Sequence, residues 1–278
     1  MLIDTHAHLN FVSYDEDRDG VIKKSLENDI WMINVGTNYL TSKKAVEIAN
    51  KNEEGVFASV GLHPINLETG LIKIYRDKNE INDDFSFEKE FDYQKYGELI
   101  LKSQKKVVAV GEIGFDYWSK PKTKKKMNEF REQQIKLFRK EVSLAREFEL
   151  PLILHCRLGY EDLIEELSRI KHKFGGVLHC FCGNWKEAEA FLEMGYYIGF
   201  NGIIFKLKLD DIIKKTPLER MLVETDCPFL TPPKIKKERN EPVNIKYIVE
   251  KIAKVKNVKN AEIERITTEN ANKLFNLL

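Results

Sequence analysis

Along this 278-residue chain, short runs that are apolar at almost every position alternate with longer stretches in which apolar residues return every third or fourth place. The runs are "MLID" at 1–4, "WMINVG" at 31–36, "VFASVG" at 56–61, "VVAVGE" at 107–112, "LILHC" at 152–156, "GVLHC" at 176–180, "YYIGF" at 196–200 and "MLVET" at 221–225. A strand apolar at successive positions is buried on both faces, as in parallel sheets covered by helices. The stretches 17–29, 41–52, 125–149, 160–174 and 184–195 carry helical spacing between them. Eight strands alternating with helices predict an α/β fold, the (β/α)8 TIM barrel, and the length suits a single domain spanning 1–278. A doubly wound open sheet is the alternative, but where such a sheet carries its glycine-rich phosphate loop this chain has "DTHAHL".

In a barrel the residues just past the strands share one rim. His6 and His8 follow the first run, His63 in "GLHP" the third, Glu112 the fourth, His155 the fifth, His179 the sixth, and Glu224 with Asp226 the eighth. Five of the six histidines stand at these ends, and the sixth, His172, lies in the lysine-rich end of a predicted helix. Residues i and i+2 of an extended strand point to one side, so His6 and His8 aim at one point. Imidazoles and carboxylates converging from separate strands are the donor set of one or two divalent cations. One shared carboxylate can hold two ions about 3.5–4 Å apart. The plainer alternative is a set of unconnected polar plugs in the barrel mouth.

Composition narrows the picture. With 42% hydrophobic and 32% charged residues the chain is an ordinary globular sequence, and 45 basic against 44 acidic residues leave a formal charge of +1. Nothing global attracts a polyanion, so any nucleic-acid contact is local. No basic leader with an apolar core and no long apolar stretch is present, so export and membrane insertion are not expected and a cytoplasmic location is. The four cysteines, Cys156, Cys180, Cys182 and Cys227, suggest a reducing compartment, and a lone C-x-C does not make a zinc cluster. Between His63 and Glu112 an acidic, aromatic-rich insertion, about 73–98, reads as a decorated surface loop plus helix, with a lid or partner site as the alternative.

"DTHAHL", "GLHP", "GEIGFDY", "LHCR", "LHCFCG", "ETDCPFLTP" and "RNEP", in this order, resemble the signature blocks of the TatD-type metal-dependent deoxyribonucleases, within the amidohydrolase-like metal-dependent hydrolases. The resemblance runs from Leu2 to about Pro242, and "TTENANKLF" is similar to the family's closing helix. It implies that His6, His8 and Asp226 bind one metal, that His155 and His179 bind a second, and that Glu112 bridges them. His63 then faces substrate, with a loop histidine bonded to backbone as the alternative. Glu224 is expected behind the ligands or facing substrate. Arg157 and Arg239 are candidates for phosphate contact, with surface arginines as the alternative. Cys182 stands where the family usually has serine, and Ile65 where a second histidine is common.

The chemistry expected of such a centre is attack on a phosphodiester by a water whose pKa the ions lower. Asp226 would take up the proton, and His63 would donate toward the leaving side. The resemblance points to a 3′-5′ exonuclease acting on DNA, preferably single strands. The basic runs Lys120 to Lys126 and Lys234 to Asn240, with Tyr117, Trp118 and Phe229 near them, give local support. A metal-dependent amidohydrolase or esterase acting on a small amide, lactone or ester is the alternative enzyme, and a metal-containing binding protein the alternative outside enzymes. Two divalent ions are expected. Imidazole-rich ligation favours zinc, manganese or cobalt, whereas the resemblance favours magnesium.

Overall fold

The apolar runs all become strands, and the chain closes them in sequence order. The computed structural model describes residues 1–73, 78–80, 87–103, 105–236 and 239–277. The strands are β1 (Leu2–Ala7), β2 (Ile30–Val35), β3 (Val56–Val60), β4 (Val107–Asp116), β5 (Leu152–Arg157), β6 (Gly176–Leu178), β7 (Tyr197–Phe200) and β8 (Met221–Val223). Each pairs in parallel with the next. β8 returns to β1 through the parallel bridge Ala7–Cys227, with the Cys227 carbonyl accepting from the His8 amide at 2.9 Å and the His6 carbonyl from the Asp226 amide at 2.8 Å. At this seam the Asp4 carboxylate accepts from the Thr225 amide at 2.9 Å and its hydroxyl at 2.5 Å. Burial pushes the Asp4 carboxyl up to about 7, against the opposing bonds from Thr225.

The helices are α1 (Arg18–Leu26), α2 (Tyr39–Lys51), α3 (Tyr93–Lys102), α4 (Lys124–Glu147), α5 (Tyr160–Ile170), α6 (Trp185–Glu193), α7 (Asp210–Lys215), α8 (Ile245–Lys256) and α9 (Asn260–Phe275). The two faces of the strands feed two buried clusters. Met32, Val56, Ala58 and Val60 pack with helix residues such as Val46 and Ala49. The other face gathers Ile33, Val35, Phe57, Ile153, Val177 and Leu222 with Phe275 and Leu277. α9 thus plugs the end where Thr268 donates to the Met1 carbonyl at 3.0 Å, leaving the opposite end for chemistry.

At that open end, helix starts are fixed by side chains. Asn38 caps α2 in a reciprocal box with Thr41, and Asn184 caps α6 with Glu187. Caps of this kind contribute about 1 kcal/mol each and fix where the preceding loop ends. Of the expected insertion, residues 74–77 and 81–86 lie outside the described residues; the remainder includes α3 and Glu88, whose carboxylate accepts from the Tyr39 amide at 2.6 Å and from Tyr96 at 3.0 Å. Among the described residues no helix is long and apolar enough to cross a membrane.

Candidate metal centre

The strand-end residues meet around one carboxylate. Glu112 Oε2 lies 3.4 Å from His6 Nε2 and 4.0 Å from His8 Nε2, while Oε1 lies 2.9 Å from His155 Nδ1 and 3.1 Å from His179 Nε2. Asp226 Oδ1 completes the first side at 3.4 Å from His8 Nε2 and 3.9 Å from His6 Nε2. Donors bound at about 2.1 Å to a common ion sit roughly 3.0–3.4 Å apart, so these separations match two adjacent coordination spheres sharing Glu112. Four overlapping groups of three such residues have donor atoms within 4.8 Å of one another.

The second nitrogen of three rings decides whether a cation fits. His8 Nδ1 is 2.9 Å from the Val35 carbonyl, His179 Nδ1 is 3.2 Å from Glu224 and His155 Nε2 is 3.0 Å from Asp116. Each of these nitrogens must donate, so the other nitrogen of a neutral ring presents a lone pair to the centre. For His155 and His179 that nitrogen faces a Glu112 oxygen, an arrangement that calls for positive charge between them, from a ring proton or from a bound cation. A metal ion fits it, and carboxylates behind the imidazoles are the usual outer partners of such ligands.

The charges follow the same geometry. Burial works against ionised Glu112, yet His63 and His179 facing it hold its carboxyl well below the usual range. Burial likewise opposes charge on His179, but Glu112 and Glu224 carry its pKa well above the ordinary value. His6 is lowered by burial and by His179, and His63 by burial and by His155. Four residues bordering the centre's cavity of about 460 Å³ adopt left-handed backbone: Leu158 (φ 62°), Cys180 (φ 47°), Asp226 (φ 56°) and Leu230 (φ 53°). Such strain in non-glycine residues concentrates where loops are bent to present side chains.

The structure sorts the remaining expected residues. His63 borders the cavity with Nε2 3.4 Å from Glu112 Oε1, while Nδ1 accepts from the Ile65 amide at 3.0 Å, so it both faces the centre and holds its own loop. Arg157 also borders the cavity, pairs with Asp116 at 2.9 Å and lies over the exposed Trp118 ring at 5.3 Å. For Glu224 and Arg239 the structure favours the alternative to a substrate contact. Glu224 is fully buried, with Oε1 accepting from the Cys180 amide at 2.7 Å and Asn201 at 3.1 Å as well as facing His179, so it stands behind the ligand. Arg239 is committed to Asp17 at 2.6 and 2.9 Å and stacks on Tyr14 at 4.3 Å, which leaves its guanidinium no free fork for phosphate.

Asp116 is the residue that sequence reasoning passed over. It sits four places after Glu112 on β4 and joins His63 and His155 in one of the candidate cation groups. All four cysteines are free thiols. Lys124, Lys125 and Lys126 occupy the exposed first turn of α4, and Lys234 pairs with Glu250 at 2.6 Å; residues 237–238 of the second basic run lie outside the described residues.

A closed parallel barrel with histidines and carboxylates converging at the carboxyl ends of its strands defines a metal-dependent hydrolase. The family described as TatD related DNase matches residues 3–276, and the chain belongs to it. It is 36% identical to the uncharacterized metal-dependent hydrolase YabD of Bacillus subtilis (strain 168), covering 100% of both chains. It is 30% identical to a protein of Erwinia tasmaniensis named 3′-5′ ssDNA/RNA exonuclease TatD, over 99% of this chain and 100% of that one. The crystal structure of YjjV, a TatD homolog from Escherichia coli K12, superposes with a TM-score of 0.81 at 26% identity, over 100% of this chain and 98% of that one.

Proposed function

We propose that the protein hydrolyses phosphodiester bonds of DNA, acting as a 3′-5′ exonuclease on single strands with two divalent ions. The observation that carries the two-ion reading is Glu112, whose two oxygens face separate imidazole pairs. His6, His8 and Asp226 would hold one ion, His155 and His179 the other, and Glu112 both. Bound there, the ions supply an activated water at neutral pH and positive charge against the phosphate. Asp226, which borders the cavity, would accept a proton there; His63 would donate toward the leaving oxygen; and Arg157, at the cavity's edge beside Trp118, would grip phosphate.

Two further observations support a polyanionic substrate. Lys124, Lys125 and Lys126 place positive charge on the positive end of the α4 dipole with no acidic residue in that turn, which costs roughly 0.3–1 kcal/mol each and is relieved by an arriving anion. The similar Erwinia protein bears an exonuclease name. The test is a time course on end-labelled single-stranded DNA with magnesium, manganese or zinc restored to stripped protein, beside an ester and an N-acyl amino acid. Stepwise shortening from the 3′ end, lost in Asp226→Asn, is expected. Intact DNA with a cleaved ester or amide would move the protein to the amidohydrolase side.

A further inference from the structure

Among the described residues, the insertion reaches the metal cavity at Glu80. Glu80 is 9% exposed and borders the cavity together with Thr37, Ile65 and Asn66. Its Oε1 accepts from the Thr37 hydroxyl, from Asn38 Nδ2 at 3.2 Å and from Asn66 Nδ2 at 2.9 Å. Its carbonyl accepts from the Val12 amide at 3.4 Å, and the Asn79 carbonyl from the Ser13 amide at 3.1 Å. Residues 79–80 therefore seal the seam between the loops that follow β1, β2 and β3. Three donors on one oxygen hold the carboxylate in place, while among the described residues no donor reaches the second oxygen. A buried carboxylate anchored in this way is a fixed acceptor and a fixed negative charge.

The opposite side of the cavity is open. Leu158, Tyr160 and Cys182 border both the metal cavity and a second cavity of about 650 Å³, which Lys120 also lines. A long substrate has room to continue past this neck, whereas among the described residues the margin at Glu80 is bounded by the joined loops after β1, β2 and β3. We propose that Glu80 forms the closed end of the cleft and reads the terminal group of the strand, accepting a hydrogen bond from a terminal hydroxyl and repelling a terminal phosphate. This deepens the nuclease reading and rests on it. The terminal sugar would sit between the metal centre and Glu80, with the rest of the strand leaving over Leu158 and Tyr160.

The test compares two 5′-labelled single-stranded oligonucleotides that differ only in ending with a 3′-hydroxyl or a 3′-phosphate. They are given to the metal-loaded wild type, Glu80→Gln and Glu80→Asp. Cleavage is read as kcat/KM, and binding separately by fluorescence anisotropy. The wild type is expected to prefer the hydroxyl end by at least about tenfold, Glu80→Asp to keep that preference, and Glu80→Gln, which keeps an acceptor for Thr37 and Asn66, to bring it within about twofold. Equal use of both ends by the wild type overturns the proposal, as does an unchanged preference, or an equal loss on both strands, in Glu80→Gln. Strands bound with the end preference but never cut would uphold Glu80 as the end reader and refute the nuclease reading. Strands neither bound nor cut would refute both.

Discussion

Glu224→Gln separates a residue that holds a ligand from one that touches substrate. In the native protein Oε1 faces His179 Nδ1 at 3.2 Å and accepts from the Cys180 amide at 2.7 Å and Asn201 at 3.1 Å, while Oε2 is buried with no partner. Gly199 makes that packing possible, since a Cβ there would lie 2.6 Å from Oε2. Glutamine keeps the carbonyl acceptor but removes the charge. The bond to His179 then drops from a charge-assisted one to a neutral one of about half the strength, a loss of about 1–1.5 kcal/mol, or roughly tenfold in metal affinity. The new amide N–H falls where Oε2 had no partner and costs roughly a further 1–3 kcal/mol of fold stability. Competition with a chromophoric chelator at fixed pH should give a Kd raised about tenfold, and kcat should largely return at saturating metal. Unchanged metal affinity with turnover lost at saturating metal would refute this and make Glu224 a substrate contact after all.

Glu112→Ala is expected to lower the metal content from two ions per chain to one or none by elemental analysis; an unchanged stoichiometry would count against a shared carboxylate. Away from the centre, His172 is pushed down to about 4 by burial, its Nε2 bonded to the Leu150 carbonyl at 3.0 Å and its Nδ1 without a partner. Below about pH 6.5 the unfolded chain takes up a proton that the folded ring refuses until about pH 4, so this contribution is present near neutrality and lost as pH falls. Between pH 7 and pH 5 the loss is about 1 kcal/mol after allowance for screening. His172→Gln, which keeps a donor for Leu150 and does not titrate, should flatten the fall in Tm over that range, and parallel Tm curves would show that His172 has no part in it.

The barrel and the ligand-bearing positions could be read from the sequence because one periodicity governs both. Apolar runs mark the strands, and chemistry follows them at the rim. What could not be read depended on where strands stop and on partners far along the chain. Glu224 and Asp226 would share a direction if β8 continued, but it ends at Val223 and Asp226 turns into left-handed backbone, so the two carboxylates part. β4 does the reverse: its apolar run ends at Glu112, yet the strand continues to Asp116, which brings that carboxylate to His155. Arg239 meets Asp17 across 222 residues, a pairing no local pattern announces.

The centre also depends on barrel closure. His6 comes from the first strand, His8 from the position just past it and Asp226 from the loop after the last, so one side of the cluster is complete only when β8 meets β1. The seam is held by Asp4 and Thr225, side chains that lie two positions before His6 and one before Asp226. An ion held by His6, His8 and Asp226 would tie both margins together, and anything that binds the closed barrel alone stabilises it, by about 2.7 kcal/mol at a hundred times its Kd. Across the rim Glu80 spans the loops after β1, β2 and β3, so the insertion stiffens the side of the cleft opposite Leu158 and Tyr160. If Glu80 ends the cleft as proposed, a nucleic-acid substrate would enter by its end, because an unbroken strand would have to pass through that carboxylate.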